Sequence, residues 1–203
     1  MSEGAGGLRG APGEDARNAD CVPEAPEGGR RVLLGIDPGT AVTGFGVVTV
    51  DGRRRTQLLQ CGVIRTSPRA PLALRLMEIH EEVAALIDEF SPAAVCVESA
   101  FYGKNVRSAL TLGQARGAII VAAAIRGVEV VEYAPREIKK AVVGTGAATK
   151  DQVAYMVRRH LRLATDPKPN DAADGIAAAL CHAFTGQMTG RSPEVRARAL
   201  AAS

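Results

Sequence analysis

Arg31-Val-Leu-Leu-Gly-Ile-Asp37-Pro-Gly-Thr40 decides how the rest of the chain is read. Its first part is an apolar run of strand length, and Asp-Pro-Gly stops that run at a turn. Working outward, Val42–Val50 is β-branched and apolar and reads as a second strand. Asp51-Gly52 is a hairpin signal, and residues 53–64 alternate enough to form a third strand. Leu72, Leu76, Ile79, Val83, Leu86 and Phe90 recur every three or four residues within Pro71–Phe90. That is one apolar stripe on a helix, ended by Ser91-Pro92. Ala93–Val97 is a buried-type strand running into Glu98, and the Ala-rich stretch 108–126 reads as a helix. Val128–Tyr133 is a fifth strand, and residues 135–143, 150–163 and 171–184 read as helices. The order β-β-β-α-β-α-β followed by helices predicts an α/β fold: a five-stranded mixed sheet flanked by helices on both faces.

Composition bounds the rest. The chain has 203 residues, enough for one ordinary domain and its tails. With 46% hydrophobic and 3% aromatic residues, the core is aliphatic. No apolar run approaches the roughly 20 residues needed to cross a bilayer, so a membrane-spanning protein is not expected. Cysteines at 21, 61, 96 and 181 form no C-x-x-C pair, which argues against a zinc ribbon and suits a reducing cytoplasm. Residues 1–30 carry seven Gly and three Pro, with six acidic and three basic side chains. Such a stretch buries too little to offset ordering, so a disordered tail is expected there. The expected domain spans 31–186, with a loose tail over 187–203. Without residues 1–30 the chain carries +6, mildly basic and compatible with a polyanionic partner.

Four carboxylates stand out by position. Asp37 ends the first strand and Glu98 follows the fourth. Asp171 and Asp174 open the last helix three residues apart, on nearly one face. If strands one and four are neighbours, Asp37 and Glu98 emerge side by side, and a helix start brought over that edge adds the other two. Carboxylates so close repel, and an oxygen-only cluster suits a hard cation, Mg²⁺ or Mn²⁺. Two such ions about 4 Å apart are a standard device for displacement at phosphorus. Each residue also has a plainer reading: Asp37 as a turn residue, Glu98 as the first solvated position, and the helix-opening pair as partners of the macrodipole. Only joint placement favours the metal.

The motifs are recognisable together. Leu34-Gly-Ile-Asp37-Pro-Gly-Thr-Ala-Val-Thr-Gly44-Phe-Gly-Val-Val48 resembles the opening of RuvC-type Holliday junction resolvases. The likeness continues through Val97-Glu98-Ser-Ala-Phe101-Tyr-Gly-Lys-Asn105, Leu112-Gly-Gln-Ala-Arg-Gly117, Val142-Val-Gly-Thr-Gly146 and Asn170-Asp-Ala-Ala-Asp-Gly-Ile-Ala-Ala-Ala179. It covers about residues 31–185, in order. The resemblance implies a ribonuclease H-like fold and a homodimer that nicks two opposed strands of a four-way DNA junction. It implies two Mg²⁺ per site, with Mn²⁺ as substitute, and an acidic quartet on Asp37, Glu98, Asp171 and Asp174. Some family members carry His where this chain has Asp171. It also implies an aromatic wedge at Phe101, basic residues near DNA at Lys139 and Lys150, and coupling to the branch-migration complex RuvA–RuvB.

From the residues themselves, Lys104, Arg107, Arg116, Lys139, Lys140 and Lys150 are placed to face phosphates. The helix at 108–126, rich in small residues, is suited to packing against its own copy, although Leu110, Leu112 and Ile119 would equally serve a core helix. The stretch Gly144–Lys150 lacks the G-x-x-x-x-G-K-[ST] spacing of a phosphate loop. Three rivals are weighed. An actin-like ATPase shares an Asp-x-Gly-Thr turn but needs two such domains. A non-catalytic junction-binding module predicts a lost carboxylate. Another ribonuclease H-like nuclease, acting on RNA–DNA hybrids or pre-ribosomal RNA, remains the nearest alternative.

Overall fold

The computed structural model describes residues 30–99 and 106–185. The tails expected at either end lie outside those residues, apart from Arg30, as do Phe101 and Lys104. Five strands form one sheet: β1 (Arg31–Asp37), β2 (Val42–Val50), β3 (Thr56–Arg65), β4 (Ala94–Glu98) and β5 (Glu129–Tyr133), in the order β3-β2-β1-β4-β5. The first three are antiparallel neighbours, while β4 runs parallel to both β1 and β5. β1 is therefore central, and its interior is buried from both sides, as an unbroken apolar run requires.

Strand alternation sorts the core into two layers. Val32, Leu34 and Ile36 face α1 (Leu72–Phe90) and α2 (Val106–Ile125). Leu33 faces the other layer, built from α3 (Pro135–Val143), α4 (Lys150–Leu161) and α5 (Asn170–Thr185). Helices thus cover both faces, as the element order predicts. The apolar stripe of α1 turns inward through Ile79, Val83 and Leu86.

Two sequence expectations are corrected. The β2–β3 turn is longer than Asp51-Gly52, and β3 starts at Thr56. The Asp51 carboxylate accepts from the backbone N–H groups of Arg53 and Arg55, both at 2.9 Å, and Arg54 takes the left-handed conformation at φ 59°. The side chain of Asp51, rather than a glycine, closes this turn. Second, Ser108–Ile125 is long and apolar enough to cross a bilayer by length and composition. Gly, Gln and Arg116 interrupt the run in the sequence and hide this. Only 22% of that stretch is buried within the chain, so α2 leaves an apolar outer face that includes Leu110, Val121 and Ile125.

What positions the site is a glycine furrow. Gly35 of β1 lies in register with Gly46 of β2, and Gly44 with Asp37. A Cβ on Gly35 would fall 2.1 Å from the Gly175 carbonyl oxygen, one on Gly44 1.9 Å from that of Asp171, and one on Gly46 2.3 Å from Cγ1 of Ile176. Each is far inside van der Waals contact, so α5 lies directly on bare backbone. The buried face of α5 is itself small, with Ala172, Ala173, Gly175, Ala178 and Ala179.

Candidate active site

Asp37 and Glu98 each close a strand at the same end of the sheet. Parallel pairing places Ile36 opposite Val97, so the next residues end level. Alternation points both carboxylates to the α5 face: Leu33 on β1, and Ala94 and Cys96 on β4, belong to that layer. The furrow brings the first turn of α5 over Gly44, the register partner of Asp37, and so delivers Asp171 and Asp174 to the same edge. Asp37, Glu98 and Asp174 line one cavity of about 150 Å³, together with Lys139, Lys150 and an apolar wall that includes Ile138 and Ala177. Asp171 does not line it, although its charge is felt by Asp37.

The electrostatics are those of crowded acids. Burial, then the charges of Glu98 and Asp174, push the Asp37 carboxyl up to about 7, with Asp171 adding to the rise and Lys150 opposing it. Glu98 is also raised, by burial first and by Asp174 next, against the pull of Lys150 and Lys139. Lys150 donates from Nζ to Asp174 Oδ2 at 2.8 Å, and that bond holds its ammonium above its ordinary value. Lys150 is the first residue of α4, where the helix dipole disfavours a cation. The acidic cluster compensates. Thr149 caps this helix, its hydroxyl accepting from Gln152 N–H while Gln152 Oε1 accepts from Thr149 N–H at 2.9 Å.

The donor set fits a hard divalent cation: oxygen atoms alone, in a site where burial and like charge leave the carboxylates short of positive charge. Among the described residues, no three such side chains are already drawn up as a finished ligand set.

Other sequence expectations divide. Lys139 and Lys150 both reach the cavity. The Arg116 guanidinium is bidentate to Glu132, Nη2 donating to Oε2 at 2.5 Å, and ties α2 to β5. Gly144 (φ 95°) ends α3 and Thr149 starts α4, so the stretch between them is a helix–helix turn. His160 bonds the Val142 carbonyl at 2.9 Å, and His182 pairs with the Tyr133 hydroxyl at 2.7 Å, so both have structural partners. Sequence reasoning missed the furrow, although glycine at 35, 44 and 46 inside two strands is a signal of close backbone approach. It also missed the hydroxyls that hold the turn after Asp37, for which no local signal exists.

Residues 33–182 match the family profile described as crossover junction endodeoxyribonuclease RuvC. A protein of that name from Chlorobium phaeovibrioides is 53% identical over 150 residues, covering 74% of this chain and 79% of the relative. One from Roseiflexus is 46% identical over 164 residues, covering 80% and 96%. Among solved structures, Thermus thermophilus RuvC in complex with a Holliday junction substrate superposes with a TM-score of 0.72 at 43% identity, covering 76% of this chain and 93% of the other.

Proposed function

The chain belongs to the RuvC family of crossover junction endodeoxyribonucleases, and on that footing we propose that it resolves Holliday junctions by metal-dependent hydrolysis of two opposed strands. It is a hydrolase of phosphodiester bonds, and its substrate is four-way junction DNA. The observation that carries this reading is the convergence of Asp37, Glu98 and Asp174 on one cavity, with Asp171 close enough to act on Asp37.

We assign Asp37, Glu98, Asp171 and Asp174 as the oxygen ligands of divalent cations, with Mg²⁺ the resident ion and Mn²⁺ of the same hard chemistry. Bound there, such ions lower the pKa of the attacking water and stabilise the leaving oxygen. The rest is done by the chain. Asp37 and Glu98 are held at the ends of paired strands and so do not move with loops. Lys150 restrains Asp174 through its ion pair. Lys139 and Lys150 place positive charge at the cavity where a strand phosphate is received. Two opposed nicks call for two sites related by a two-fold axis, and we assign the apolar outer face of α2 to the contact between copies. Phe101 is the aromatic residue we expect at the exchange point, with Lys104 beside it.

The test is a synthetic four-way junction incubated with and without Mg²⁺, beside linear duplex and RNA–DNA hybrid. Paired nicks in the junction alone, dependent on the ion, are expected. Asp37→Asn should abolish nicking while junction binding survives. Cleavage of the hybrid in preference to the junction would favour the alternative nuclease, and cutting by Asp37→Asn would remove the assignment of Asp37.

A further inference from the structure

The turn that carries Asp37 into β2 is braced by groups that take no part in the chemistry above, and we propose that Thr66, oriented by Arg75, is a positioning residue for Asp37. The inference rests on the nuclease reading.

Residues 38–41 join β1 to β2 directly after Asp37. The three carbonyls that follow Pro38 are all engaged. Gly39 O accepts from the Thr43 hydroxyl at 2.6 Å, and Gly39 N–H donates back to that hydroxyl at 3.3 Å. Thr40 O accepts from the Thr66 hydroxyl, and Ala41 O accepts from Thr66 N–H at 3.2 Å. Thr43 and Thr66 are only 0% and 5% exposed. Water therefore cannot replace the bonds if a hydroxyl is removed. The Thr66 hydroxyl also accepts from Nε of Arg75 at 3.0 Å. A guanidinium can only donate, so Arg75 leaves the Thr66 hydroxyl free to direct its proton to Thr40 and nowhere else. Arg75 is half-buried, and among the described residues it forms no ion pair with a carboxylate.

A line of hydrogen bonds thus runs from α1, on one face of the sheet, to the turn at the carboxyl end of β1. α5 fixes the same strand from the other face. Neither Thr66 nor Arg75 lines the cavity. The brace matters because Asp37 ends β1 at the cavity it shares with Glu98 and Asp174, where the place of its carboxylate is set by the backbone that carries it. A strand end held only by its neighbours would yield, and a displacement near 1 Å at a reacting centre costs on the order of a hundredfold in rate.

Thr66→Val keeps the shape and removes both hydroxyl bonds, while Thr66→Ser restores them. Arg75→Met removes the orienting donor from a different element. Four readouts are compared with the parent: single-turnover junction cleavage in Mg²⁺, junction affinity in EDTA, Mn²⁺ binding to the DNA-free protein by electron paramagnetic resonance, and melting temperature. Thr66→Val is expected to cleave about 10- to 100-fold more slowly, to bind Mn²⁺ severalfold more weakly, and to bind the junction as the parent does. Thr66→Ser should recover most of the rate, and Arg75→Met should shift rate and Mn²⁺ binding in the same direction as Thr66→Val. Parent-like cleavage and Mn²⁺ binding in Thr66→Val would overturn the proposal. So would a Thr66→Ser variant as slow as Thr66→Val, or a junction affinity that falls in step with the rate. If Thr66→Val does not fold, Arg75→Met decides by the same criteria. Failure of the parent itself to cut junctions would sink the nuclease reading instead, and the Mn²⁺ measurement would still judge Thr66.

Discussion

Asp37 is asked to be charged in a place that opposes charge. Free in an unfolded chain its carboxyl titrates near 3.8, while in the fold it titrates near 7. Between those values the folded state holds a proton that the unfolded state has lost. Stability without metal therefore falls as pH rises from about 4 to about 7 and levels off above. Replacing Asp37 with Asn removes that dependence. In EDTA, urea unfolding should find Asp37→Asn more stable than the parent at pH 8 by roughly 1–4 kcal/mol, and much closer to it at pH 4. Parallel curves for the two proteins would mean that Asp37 does not carry this burden. A divalent cation bound to the carboxylates should offset the loss, stabilising the parent more at pH 8 than at pH 5. That Asp37, Glu98, Asp171 and Asp174 stand at strand ends and a helix start was legible in the chain. The grip of Lys150 on Asp174 was not, because 24 positions separate them and only the fold makes them neighbours.

At the scale of elements, α5 decides whether those acids meet. It is seated by the absence of side chains at Gly35, Gly44 and Gly46, so the furrow should be intolerant of even one methyl group. Gly46→Ala would force a Cβ to within 2.3 Å of the Ile176 side chain and 2.7 Å of its Cα. We expect a loss of about 1–3 kcal/mol in stability. Cleavage should fall by more than the unfolded fraction explains, because α5 lifts and takes Asp171 and Asp174 with it. Gly113→Ala on α2, where nothing lies within 4 Å in the single chain, is the comparison and should leave stability unchanged or slightly raised. Equal stability of the two variants would show that α5 has room to adjust. Most elements were readable: β1, β2 and α3 begin and end where their apolar runs and punctuating residues place them. β3 was misplaced at its start because the Asp51 carboxylate, not a dipeptide pattern, organises the preceding turn.

For the molecule as a whole, paired cutting is a matter of symmetry. α2 packs inward through Ala115, Ile119, Ala122 and Ala123, yet leaves Leu110 65% exposed, with Val121 and Ile125 also uncovered. An apolar face of this extent belongs against another surface. Leu110→Asp places an unpaired charge there and should shift the protein toward monomer in sedimentation. On a cruciform plasmid it should convert linear product into singly nicked circles. A variant that stays dimeric and linearises the plasmid would place the contact elsewhere. Local sequence by itself determined the layers, the order of strands and helices, and the residues suited to chemistry, because periodicity and turn chemistry act over a few neighbours. Tertiary structure alone decided that Asp37, Glu98 and Asp174 share a cavity, that Lys150 joins them, and that Thr66 and Arg75 brace the turn from the opposite face. Those relations depend on strand register and on how near a helix can approach bare backbone, and neither is written in any one segment.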